Sequence, residues 1–301
     1  GKMTRWQANA VIVFVALIWG TTFVVQQTSM ENIGPQYFTG VRFLLGALAV
    51  LPFALRDLRK LKRVGRPLNR MDHAGLIVLG ISMYLASILQ QIGIMQTTVT
   101  NAAFLTAFYV PTVPVLAYLV FRTRPHWSVW PGGAMCVYGT YLLSGGDLSG
   151  LGTGDFWVMG SALFWATQVV LIGVMVTRTN APALVAATQF LITGILGMVM
   201  GAFTETFSFA DIYNAGFEIL YAGIMSAGIA FTLQAVAQNY TEASDAAIIM
   251  SAEAVFAAIA GAWFLGERLA PAEYAGCGVI LAAIIGVQLI PMMRRRPQIA
   301  V

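Results

Sequence analysis

The stretch Ser251-Ala-Glu-Ala-Val-Phe-Ala-Ala-Ile-Ala-Gly-Ala-Trp-Phe-Leu-Gly-Glu-Arg268 holds one carboxylate, Glu253, in an apolar run that stops at a glycine followed by two charges. It reads as one membrane helix with its carboxylate near one end. Outward from it, the whole chain repeats the pattern. Of 301 residues, 58% are hydrophobic and 10% charged, and the mean hydropathy is +0.75. A soluble domain carries roughly 25% charged residues, so too little polar surface is present to face water all round. Apolar runs near 20 residues long each suffice to cross about 30 Å of hydrocarbon. The fold class is therefore an all-α integral membrane protein. A strand barrel, which would show shorter alternating segments, is excluded.

Ten transmembrane helices are predicted, over residues 8–27, 36–55, 74–95, 102–121, 128–145, 156–177, 182–203, 217–238, 246–265 and 272–292. The first run is too long for a signal's apolar core and no small-residue cleavage site follows it, so it is expected to span. Turn residues join the runs, as in Asn32-Ile33-Gly34-Pro35, Gly145-Gly146-Asp147 and Asn180-Ala181-Pro182, and the longest connector, Arg56 to His73, is basic. With the N-terminus inside, 15 of the 17 Lys and Arg fall on the inner side, which predicts cytoplasmic N- and C-termini. Arg268 is the exception in an outer loop, and Arg42 falls within a span.

An internal repeat divides the chain into halves, 1–150 and 151–301. A displacement of 144 residues lays Leu89-Gln90 on Leu233-Gln234, Asn101-Ala102-Ala103 on Asp245-Ala246-Ala247, and Gly132 on Gly276. A displacement of 146 lays Ala16-Leu17-Ile18-Trp19-Gly20-Thr21 on Ala162-Leu163-Phe164-Trp165-Ala166-Thr167. Five spans per half is an odd number, so the second half enters the membrane from the opposite side. Two inverted five-helix repeats around a central cavity are predicted, with a substrate site near the midplane.

The Ala-Leu-x-Trp-Gly/Ala-Thr opening of each half and the helix ending Leu265-Gly266-Glu267-Arg268 resemble the EamA-type transporters of the drug/metabolite transporter superfamily. The resemblance covers nearly the whole chain. In the first half Arg122-Thr123-Arg124 replaces the Gly-Glu-Arg pattern, and Tyr109 stands opposite Glu253. The resemblance implies a cavity lined mainly by the first, third, fourth, sixth, eighth and ninth helices. It also implies export of small metabolites, often amino acids.

Nine residues are candidates for the substrate site: Trp19, Thr22, Arg42, Tyr84, Gln90, Tyr109, Trp165, Gln168 and Glu253. A carboxylate inside a span is costly to bury and by default faces a cavity. The alternative for Glu253 is a hydrogen bond to a neighbouring helix among the small residues around it. Arg42 offers a planar fork to a substrate carboxylate, or pairs with backbone carbonyls or with Glu253, or snorkels to the basic side. Trp19 and Trp165 lie about ten residues into their spans, away from the interfacial belt. With Tyr84, Tyr109 and Phe108 they suit an amphipathic substrate or a cation held over ring faces, or else serve helix packing. Thr22 and Gln26 follow Trp19 on one helical face, as Gln168 follows Trp165. Gln90, Gln91, Gln234 and Gln238 add uncharged hydrogen-bonding groups. Asn101 and Asp245 are expected as helix N-caps.

Cys136 and Cys277 read as small packing residues. No cofactor or metal site is expected, and no nucleotide-binding loop or hydrolytic motif is present. Expected partners are a small-molecule substrate and the bilayer, without nucleic acid, the chain acting as a monomer. The reading is a non-enzymatic exporter of amino acids or similar metabolites in a bacterial inner membrane. A multidrug exporter of lipophilic cations is the alternative, followed by a nucleotide-sugar antiporter.

Overall fold

The computed structural model describes residues 2–122, 124–143, 152–266, 268 and 270–293. The Gly145-Gly146-Asp147 turn, Thr123, Glu267 and the Arg294 to Arg296 cluster lie outside them. Among the described residues the regular structure is helical throughout: α1 (Arg5–Ser29), α2 (Pro35–Arg63), α3 (Arg70–Ile94), α4 (Val99–Thr106), α5 (Tyr109–Phe121), α6 (Val129–Leu143), α7 (Thr153–Thr179), α8 (Pro182–Thr204), α9 (Phe209–Asn214), α10 (Gly216–Leu220), a π-helical segment Tyr221–Phe231, α11 (Thr232–Ala237), α12 (Ala243–Met250), α13 (Ala252–Phe264) and α14 (Pro271–Met293).

Several of these run together. Eight continuous stretches are long and apolar enough to cross a membrane, including Val99–Phe121, Gly216–Ala237 and Ala243–Phe264. The two further predicted spans correspond to α6, with 15 described residues, and to α14, whose apolar part is shorter; these two helices lie against each other. The surface is what a bilayer requires: Leu48, Leu119, Val120, Phe203 and Trp263 are all more than 60% exposed. Such a spread of large apolar groups has no counterpart on a water-facing monomer.

Pairing mixes the two halves of the chain. α2 lies along α8, α3 along α7, and α1 against α13 and the π segment. α2 and α8 approach closely because Gly197 leaves no side chain between them; a Cβ there would come within 2.6 Å of the Gly40 nitrogen. The same pair is capped reciprocally. Glu205, just past α8, accepts from Gln36 N at 2.8 Å and Tyr37 N at 3.3 Å at the start of α2. Asp57, near the end of α2, accepts from Ala183 N at 2.9 Å and Leu184 N at 3.2 Å at the start of α8. Each carboxylate satisfies amides that have no partner inside their own helix.

The structure corrects four local expectations. The connector from Arg56 is not a loop at first, because α2 continues to Arg63. The fourth and ninth spans each break. In the fourth, Pro111 has no N–H for the Ala107 carbonyl, which accepts from Val110 N instead at 3.0 Å. In the ninth, the break falls at Ser251, so Glu253 sits just past a mid-span joint and not near the end of one helix. The two breaks are related by the same 144-residue displacement that aligns the halves. Finally, Asn101 and Asp245 are not caps. Thr98 caps α4 by accepting from Asn101 N at 3.1 Å, and Asp245 is ion-paired with Arg5 at 3.1 Å.

One end of the bundle carries most of the described basic residues, and Asp72 ties that end together. Its carboxylate accepts from Arg66 at 2.7 Å and from Arg178 at 3.1 Å, besides Asn69 N at 3.0 Å. The hydrogen bond and charge of Asp72 raise the pKa of the Arg66 guanidinium above its ordinary value. Asp72 is fully buried while the arginine side chains stay 35% and 38% exposed. Asp72→Ala is expected to destabilise the protein by about 2–3 kcal/mol, below the range for a fully buried pair because water reaches both cations. Thermal unfolding in detergent measures this, and a change under about 0.5 kcal/mol would show the cluster to be energetically idle.

Candidate functional site

A cavity lies at the centre of the bundle, lined by Trp19, Thr22, Phe23 and Gln26 of α1, Arg42 of α2, Gln90 of α3, Thr106 of α4, and Tyr109 of α5. The second half contributes Trp165, Gln168 and Val169 of α7, Ser226 and Phe231 of the π segment, Met250 of α12 and Glu253 of α13. Eight of the nine residues singled out from sequence are among these. The ninth, Tyr84, is not: its hydroxyl donates to Gln36 Oε1 at 2.7 Å, near the start of α2. The six spans expected to line a cavity all do so, and the second adds Arg42.

Arg42 is 5% exposed and points at the π segment. Its Nε donates to the Ala222 carbonyl at 3.1 Å and an Nη to Ser226 Oγ at 2.6 Å. Wider π turns are uncommon and favour functional sites; here the segment supplies a backbone carbonyl and a hydroxyl that hold the guanidinium plane. The plane also rests on the Phe43 ring, 4.7 Å from its centroid. Arg42 also lines the cavity. Glu253 is 6% exposed and lies beside Tyr109. No ion pair joins Arg42 and Glu253 among the described residues. A cation and a carboxyl group thus line one cavity without neutralising each other.

The aromatic wall centres on Phe231. Its ring lies 4.5 Å from that of Trp19 and 5.8 Å from that of Trp165, the latter nearly parallel at 15°. Trp19 Nε1 donates to the Ser226 carbonyl at 3.4 Å. Trp165 Nε1 and the Tyr109 hydroxyl are buried and find no hydrogen-bond partner among the described residues. Buried polar groups are normally satisfied; the nearest polar group to the Tyr109 hydroxyl is the Glu253 carboxyl group beside it. Phe231, Ser226 and Thr106 were not singled out from sequence; each is an ordinary residue of an apolar run until the helices are assembled.

Two glutamine clusters bound the cavity. Towards the end opposite the basic one, Gln26 Nε2 donates to Gln90 Oε1 at 3.2 Å and Gln91 Oε1 at 3.1 Å, and Gln90 Nε2 donates to Thr106 Oγ1 at 3.0 Å. On the basic side, Gln168 Nε2 donates to Gln189 Oε1 at 3.2 Å and Gln234 Oε1 at 3.1 Å. Gln234 Nε2 then donates to Gln238 Oε1 at 2.9 Å, and Gln238 Nε2 to the Val169 carbonyl at 2.8 Å. Beyond this second cluster a vestibule of about 630 Å3 is lined by Gln238, Arg178 and the Asn239–Ser244 turn. The central cavity itself measures about 40 Å3, room for roughly three waters. Any larger occupant requires the surrounding helices to part.

The model of the EamA-like transporter family matches the chain twice, over residues 6–145 and 152–289. An uncharacterized transporter of Archaeoglobus fulgidus is 32% identical over 95% of this chain and 87% of its own length. The uncharacterized inner membrane transporter YedA of Escherichia coli is 25% identical over 91% and 88%. An S-adenosylmethionine/S-adenosylhomocysteine transporter of Chlamydia trachomatis is 23% identical over 91% and 86%. A solved crystal structure, 17% identical, superposes over 95% of this chain and 98% of that one with a TM-score of 0.74, a likeness of fold. The multi-pass helical bundle, its central cavity and these two family matches agree: the chain is a membrane transporter belonging to the EamA-like transporter family.

Proposed function

We propose that the protein carries amino-acid-like zwitterions across a cytoplasmic membrane as an exporter, working as a monomer by alternating access of two inverted five-helix halves. The observation that carries the substrate class is the unpaired coexistence of Arg42 and Glu253 on one small cavity. The fork holds a carboxylate through parallel hydrogen bonds, and the carboxyl group of Glu253, with the Tyr109 hydroxyl, receives an ammonium. A nucleotide sugar carries more negative charge than the single arginine of the lining offsets. The reciprocal capping by Asp57 and Glu205 supports the inverted relation of the halves. Both termini are assigned to the cytoplasm on the distribution of Lys and Arg. On that assignment the vestibule opens inward, and the Gln168–Gln234–Gln238 cluster separates it from the site.

A second reading rests on the Trp19–Phe231–Trp165 wall, which suits a planar base or an onium group. The cargo is then an amino acid joined to such a group, S-adenosylmethionine being the case after which the Chlamydia relatives are named.

The test is saturable flux in proteoliposomes of neutral, aromatic and basic amino acids, S-adenosylmethionine and a lipophilic phosphonium ion. Analogues of the best substrate lacking the amino or the carboxyl group are expected to enter at least about 30-fold less efficiently, roughly 2 kcal/mol. Flux of the phosphonium alone, or indifference to loss of either charged group, overturns the zwitterion. Runs with and without a pH gradient separate a facilitated carrier from a proton-coupled one.

A further inference from the structure

The structure assigns a second binding site, outside the transport path, to the phosphate headgroup of an anionic phospholipid. It is a concavity of about 770 Å3 between the end of α2, the start of α8 and α11, lined by Arg56, Arg59, Lys60 and Arg63. α2 has 29 residues, about 43 Å of helix against about 30 Å of hydrocarbon, so these last two turns stand at headgroup depth. Residues 53, 56, 60 and 63 follow one another on one helical face. Phe53, 60% exposed, therefore leads the lipid-facing side of α2 directly into the basic group.

The concavity holds four cations and one carboxylate, Asp57, a net positive charge. The Oδ2 of Asp57 accepts from the amides of Ala183 and Leu184, which fixes that carboxylate against the start of α8 and apart from the cations. None of the four cations has an ion-pair partner among the described residues. Thr232 lines the same wall, its hydroxyl buried and without a hydrogen-bond partner among the described residues. Topology and the α2 dipole account for basic residues anywhere around this helix end. They do not account for four cations gathered on one concavity beside the lipid-facing side of α2. A phosphodiester meets this set through charge-assisted bonds to the arginines, with its acyl chains alongside Phe53; basic pockets between membrane helices take lipid headgroups in this way.

The test uses the purified full-length chain in detergent, titrated with phosphatidylglycerol, phosphatidylcholine or inorganic phosphate. Retention is read by native mass spectrometry and stabilisation by thermal unfolding. Phosphatidylglycerol is expected to be retained and to raise the melting temperature, whereas phosphatidylcholine and inorganic phosphate at equal concentration do neither. Arg56→Gln with Arg63→Gln is expected to weaken phosphatidylglycerol binding about 25-fold, about fivefold per charge. Lys62→Gln with Arg70→Gln, which removes two exposed charges outside the concavity, is expected to leave it within about twofold. Should the first double variant melt early without lipid, Arg59→Gln alone repeats the comparison. Equal losses in the two double variants, an equal response to inorganic phosphate, or no retention of phosphatidylglycerol overturns the assignment.

Discussion

Arg42→Gln is expected to lower transport efficiency by about 30- to 1,000-fold while leaving the protein folded. The two halves of that statement have different causes. Arg42 is the cation of the cavity, and truncating one partner of a buried charged contact costs about 2–4 kcal/mol, which sets the range. Folding is spared because the guanidinium is buried at a desolvation cost that glutamine does not carry. Arg42→Lys is expected to fare little better. An ammonium lacks the planar fork whose Nε and Nη bond the Ala222 carbonyl and Ser226 Oγ in parallel. Initial rates in proteoliposomes across substrate concentrations, beside melting curves of the same preparations, measure both halves. A variant within threefold of wild type would remove Arg42 from the site.

Gly20→Val is expected to damage packing severely, and at the site itself. A Cβ at Gly20 would stand 2.6 Å from Phe256 Cβ, 2.7 Å from the Glu253 carbonyl oxygen and 2.9 Å from Ala257 N. Two of these are backbone atoms of α13 and cannot rotate away, so α1 and α13 must separate. Overpacking by one methyl group costs about 1–3 kcal/mol, the range expected for Gly20→Ala; valine adds two more carbons at the same point and exceeds it. The displacement acts on the Glu253 backbone itself, so transport is expected to fall in Gly20→Ala before expression does. Gly278→Ala is the control, because a Cβ there meets nothing within 4 Å; it is expected to be neutral or slightly stabilising. Wild-type melting and flux in Gly20→Val would mean that the two helices are not held this closely.

The membrane class and eight of the ten expected spans were legible because apolar runs of fixed length have one physical use. The cavity was legible in part for a related reason: Arg42 and Glu253 stand out in apolar surroundings, and tryptophans far from helix ends contradict the interfacial pattern. What could not be read depends on contacts between helices. Phe231 is one aromatic among many until Trp19 and Trp165 close on it from the two halves. The π winding around Ser226 has no periodic signature of its own, since it depends on Arg42 taking up the Ala222 carbonyl. Tyr84 carried the same chemistry as Tyr109, yet Gln36 claims its hydroxyl. The extension of α2 was hidden because a basic, polar sequence reads as a connector whether or not it is wound.

The glutamine clusters on either side of the cavity have an electrical consequence. Each elementary charge driven across a membrane potential of 100 mV carries about 2.3 kcal/mol, so a barrier built from ion pairs at midplane depth would respond to voltage whenever its partners moved separately. Amides carry no net charge. The parting of Gln26 from Gln90 and Gln91, or of Gln168 from Gln234, displaces none. Separations of such amides therefore add no movement of charge of their own, and any dependence of transport on voltage would have to come from the cargo, a coupled ion or the charged groups of the cavity.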